Sequence, residues 1–105
     1  MSAIDFSQIE KDVVTLATTL LKNFAQQGIA DGKAFLAHSQ AQLITLAQQR
    51  ARGEITEPEY QDAIRDERAL AKMVAIKQAG LAQVAIDKFT NGIVDIVTKA
   101  AMAAI

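Results

Sequence analysis

The sequence predicts an all-α fold, an antiparallel helical hairpin followed by a long third helix, with the bundle completed by self-association. Three observations predict it. Apolar residues recur at steps of three and four along most of the 105 residues. The hydrophobic half of the composition is mainly Ala, Leu, Ile and Val, with only 5% aromatic residues, which suits helix-on-helix packing better than a sandwich or barrel. The one unusual stretch, "RARGEITEPEYQDAI" at 50–64, carries the signals of a helical corner. A chain of this length makes a single helical domain over 1–105, near the lower end of sizes that bury a core unaided.

The first helix is predicted over about 5–27. Phe6, Ile9, Val13, Leu16, Leu20 and Phe24 form its apolar stripe, widened by Val14, Ala17 and Leu21. Ser2 with Asp5 three residues on is a loose capping box. The "GIADG" run, 28–32, predicts a short connection, with Asp31 capping a second helix over about 33–52. There Leu36, Leu43 and Ala47 share a narrow arc, and His38, Gln42, Thr45 and Gln49 gather opposite. So short a connection makes the two helices antiparallel neighbours.

Gly53 stands where a glycine just past a helix end belongs, with Arg50 and Arg52 at the negative end of the helix dipole. Thr56 and Glu59 are a capping box for the third helix, and Pro58 falls in its first turn, where a missing N–H costs nothing. Ile55 and Tyr60 occupy the two positions of a hydrophobic staple. The string from Gly53 through Ile55, Thr56, Glu59 and Tyr60 resembles the turn in the short C-terminal domains appended to many bacterial proteins. The resemblance covers eight residues. Gln49 interrupts the leucine pair of that pattern and a long helix follows, so it implies the same local corner and no further property.

From Glu57 the pattern stays helical to about residue 90, with a short fourth helix at 93–104 if Asn91-Gly92 breaks the run. Gly80 is a soft spot with no polar loop around it, so no turn is placed there. At ~1.5 Å per residue the first two helices are about 30 Å long and the third about 50 Å. The excess is apolar on nearly all sides and has to be covered by a folded-back segment, another copy, another protein or lipid.

The polar residues suggest no chemistry. Asp62 and Asp66 form an i,i+4 carboxylate pair, but Arg65 and Arg68 lie among the acids and no histidine completes a metal set. His38, the single histidine, has no orienting acid, and Thr45 on its face lies two turns away with nothing to activate it. The arginines near the corner are outnumbered by acids and the net charge is -1, which argues against nucleic acid. The expectation is therefore a non-enzyme with no cofactor or metal: a helical assembly or protein–protein interaction module, most simply a homodimer. Its interface is placed at Leu70, Met73, Val74, Ile76, Leu81, Val84, Phe89, Val94 and Val97. The second reading is a membrane-associating protein that uses the mildly basic segment 69–105, whose Lys72, Lys77, Lys88 and Lys99 face only two acids. Neither a signal-peptide pattern nor a run of ~18 uncharged apolar residues is present, which predicts a cytoplasmic protein and stays compatible with signal-independent secretion.

Overall fold

The computed structural model describes residues 4–67, 70, 77 and 79–105. Among them the architecture is all-α: α1 Phe6–Leu21, a single 3-10 turn Lys22–Phe24, α2 Ala25–Ala51, α3 Glu57–Arg65, and a last helix, α4, Gln83–Ala104. Asp5 caps α1, its carboxylate accepting from the Gln8 N–H at 3.1 Å. The expected cap, Ser2, lies outside the described residues.

The hairpin is present, but its turn is not at the glycines. α1 stops at Leu21, six residues before the expected end, and Lys22 reverses the chain with φ 48°. A straight helix over 6–51 would be about 69 Å long, against a longest dimension of 41 Å. Gly28 and Gly32, read as the connection, lie inside α2, and Asp31 does not cap a helix start. They serve as points of close approach. A β-carbon at Gly32 would stand 2.5 Å from Val13 Cγ1, and one at Gly28 would collide with Leu21 Cδ1 and lie 3.3 Å from Ala17 Cβ. The pairing of 28 with 17 and 21, and of 32 with 13, runs α1 and α2 antiparallel. The exposed Lys33–Glu10 ion pair at 3.5 Å continues this register, though such a pair contributes little.

The long third helix is also corrected. α3 ends at Arg65, Asp66 closing it with its N–H on the Asp62 carbonyl, and Glu67 is non-helical. Residues 79–82 are non-helical too, with Gly80 at φ 79°, so the chain turns at the position the sequence pattern passed over. α4 then runs unbroken through Asn91-Gly92. Gly92, like Gly28 and Gly32, is a contact residue: a β-carbon there would lie 2.5 Å from Leu16 Cδ2.

α4 packs chiefly on α1, and also on α3 and α2. The core draws Ile9, Val13 and Ala17 from α1, Phe35 and Leu43 from α2, Tyr60 and Ile64 from α3, and Phe89, Ile93, Val94 and Val97 from α4. Each large aliphatic or aromatic side chain so buried contributes ~1.5–3 kcal/mol. Of the apolar excess that the sequence left without cover, Leu70, Ile86 and Phe89 are buried within the chain itself.

Candidate interaction surface

The corner that opens α3 forms as its residues predict. Gly53 takes φ 75°, where an L side chain would be strained. The Glu59 N–H donates to Thr56 Oγ1 at 3.2 Å, and the Thr56 N–H donates to Glu59 Oε1 at 2.9 Å, closing both halves of the capping box. Those bonds to Thr56 hold the Glu59 carboxyl below its ordinary value. Arg52 pairs with Glu54 beside Gly53, and Ile55 packs against the core.

Tyr60 is fully buried, and among the described residues its hydroxyl has no hydrogen-bond partner. Burial pushes it up to about 12, far from any acid–base role near neutrality. Asp62 meets Arg65 at 3.4 Å, and both are solvent-exposed. His38 is exposed, while its neighbour Ser39 points into the core. These groups support the bundle; none is brought into a reacting geometry with another.

The six described residues among the nine assigned to an interface do not share one surface. Leu70, Phe89, Val94 and Val97 are buried in the chain's own core, so they offer no area to another molecule. This corrects the expectation, and the reason is the fold-back of α4, whose apolar face closes over α1. Leu81 is half-buried against the same core, and Val84 is open to solvent with 66% of its surface exposed. Met73, Val74 and Ile76 lie outside the described residues. The apolar face of α4, on which a membrane reading would rely, is turned inward in the same way. No helix among the described residues is long and apolar enough to cross a membrane.

Two of the apolar groups that remain outside, Leu20 and Phe24, were read as core. They lie on either side of the turn at Lys22 and are each 37% exposed. Both belong to the apolar stripe of the first helix, and the early turn at Lys22 carries them off the end of the core. Phe89 reaches Gly28 and Gly92 reaches Leu16, so the residues before Phe89 lie toward the α1–α2 turn. Val84 is therefore at the same end of the bundle as Leu20 and Phe24. The pattern in the sequence could have found this end only if the turn at Lys22 had been known. No family model matches the chain, and neither does any curated protein or solved structure with which it was compared.

Proposed function

We propose that the chain is a non-catalytic helical interaction module that self-associates through apolar helix residues, most simply as a homodimer. The observation that supports this reading is the placement of Leu20, Phe24 and Val84 at one end of the bundle, exposed, while among the described residues the other large apolar side chains, Ile105 apart, are mostly buried. Large apolar groups exposed at one end of the bundle lose their hydration cost when a second copy covers them. The capped corner and the intramolecular core make a rigid platform for that end.

The test is the mass in solution across a tenfold range of concentration, for the parent chain and for Phe24→Asp and Val84→Asp. Both side chains are exposed, so both variants keep their helix content by circular dichroism. The expected result is a multiple of 11.3 kDa for the parent chain, falling to 11.3 kDa in the variants. A parent chain that stays at 11.3 kDa throughout defeats the self-association reading. The exposed end would then be assayed with anionic vesicles and in pull-downs for a different occupant.

A further inference from the structure

The turn between α1 and α2 contains neither residue that ordinarily stops a helix. Residues 19–27, "TLLKNFAQQ", hold no glycine and no proline. Leu21 and Ala25 have right-handed helical backbones, and the residues between them make one 3-10 turn. Lys22 departs furthest, with φ 48° and ψ -109°, and Phe24 departs less, with φ -104° and ψ 15°. It is the single described non-glycine residue at positive φ, and a lysine held there is strained. Rotating Lys22 back into helical space, with a smaller adjustment at Phe24, would join α1 and α2 into an unbroken helix from Phe6 to Ala51.

On such a helix the apolar pattern does not break at the turn. Ile9, Val13, Ala17, Leu20, Phe24 and Gly28 follow one another at steps of four, four, three, four and four, a single stripe. The hairpin exposes the two members nearest the turn, Leu20 and Phe24. Both the backbone and the side-chain pattern at this turn therefore suit an open, continuous helix better than the closed hairpin.

We propose that two copies of the chain exchange α1 through a hinge at Lys22. The proposal rests on the self-association reading and says what form the association takes. In the exchanged dimer, α1 of one copy lies in the berth that α2 and α4 of the other provide. The occupant is set by shape: Gly28, Gly32 and Gly92 carry no β-carbon where Leu21, Val13 and Leu16 of α1 press closest. A second copy's α1 reproduces each of those contacts, so exchange conserves the interior and changes only the hinge and the number of molecules. The gains are release of the strain at two lysines and burial of Leu20 and Phe24 where the two hinges meet across the dimer axis. The opposing term is the entropy of association.

The experiment is a cross-link that reports which chain supplies α1. A β-carbon at position 32 would be 3.8 Å from the Val13 β-carbon, within the disulfide range, and the chain has no cysteine of its own. Val13→Cys with Gly32→Cys is oxidised in the dimer fraction from a sizing column and run denatured without reductant. Exchange yields a covalent species of twice 11.3 kDa. A disulfide closed within the chain, recovered from a genuine dimer, overturns exchange while leaving self-association standing. A chain monomeric at every concentration overturns both.

Lys22→Gly is the second variant, with the interior unaltered. Glycine accepts φ 48° without strain, so the hairpin gains and the dimer dissociation constant rises on the order of a hundredfold, about tenfold for each of two hinges. An unchanged dissociation constant for Lys22→Gly overturns the hinge even if the cysteine pair fails to fold.

Discussion

Moving one methyl group across the α1–α2 contact should reverse the sign of a mutation. Gly32→Ala, by itself, adds a β-carbon 2.5 Å from Val13 Cγ1. Val13 is almost fully buried, and a β-branched side chain on a helix is held to one rotamer, so it cannot swing aside as a leucine tip could. Overpacking costs ~1–3 kcal/mol, and exchanging glycine for alanine inside a helix returns about 1 kcal/mol. The net is a loss of about 1 kcal/mol. Val13→Ala alone removes two buried methyl groups and leaves a partly collapsed cavity, a loss of ~2–3 kcal/mol. With Val13 cut back to alanine, the new β-carbon at 32 meets only the β-carbon at 13, at 3.8 Å, an ordinary contact. Gly32→Ala in that background should therefore stabilise by about 1 kcal/mol. The coupling between the sites is then about 2 kcal/mol, well outside the ~0.5 kcal/mol expected of independent positions. Urea titrations followed by circular dichroism, at one low protein concentration for all four chains, measure the cycle. If the two losses add, or if Gly32→Ala stabilises the parent chain, the helices do not cross at these residues.

Two further predictions concern the corner and the second turn. Below pH 10 the Tyr60 hydroxyl is protonated in both folded and unfolded chains; above it the unfolded chain releases a proton that the fold retains to about 12. Stability should then fall by about 1.4 kcal/mol per pH unit as pH rises from 10 toward 12. Tyr60→Phe should abolish that part of the alkaline decline and, by removing a buried hydroxyl without a partner among the described residues, add about 1 kcal/mol near neutrality; overlapping alkaline unfolding curves for the two proteins would contradict it. Gly53→Ala and Gly80→Ala put a side chain at φ 75° and 79° with open space around it, so each should lose about 1 kcal/mol to backbone strain alone. A thermal midpoint unmoved by Gly80→Ala would remove the turn on which the fold-back of α4 depends.

What could be read from the sequence was what is decided within about four residues. The α3 entry is of this kind: Thr56, Pro58 and Glu59 satisfy one another's hydrogen-bonding and backbone needs, and the capping box forms whatever lies across from it. Amphipathic stretches are nearly as local, which is why the existence of the helices and the antiparallel hairpin were legible. The glycines were not. Gly28, Gly32 and Gly92 look like breaks, yet each sits inside a helix because Leu21, Val13 or Leu16 needs the room. Gly80 looks like a tolerated weak point and turns the chain. A glycine's local cost is the same in both roles, and only the residue opposite, far away in sequence, decides between them.

The surface was misplaced for a related reason. Periodicity says which side of a helix must leave water but not what covers it. Phe89 was given to a second copy because a third helix running to residue 90 would have outreached its neighbours, and Val94 and Val97 followed as part of the same apolar segment; the turn at Gly80 ends that helix early. Leu20 and Phe24 were given to the core because their stripe is continuous with Ile9 and Val13, and the turn at Lys22 takes them out of it. That turn has no sequence signal because local propensity does not make it: a lysine in strained space is held there by α1 docking into the berth of α2 and α4. A bend maintained by docking can be undone by docking elsewhere. Any partner that fills the same berth relieves Lys22, and the side chains that match the berth's glycine contacts are those of α1 itself.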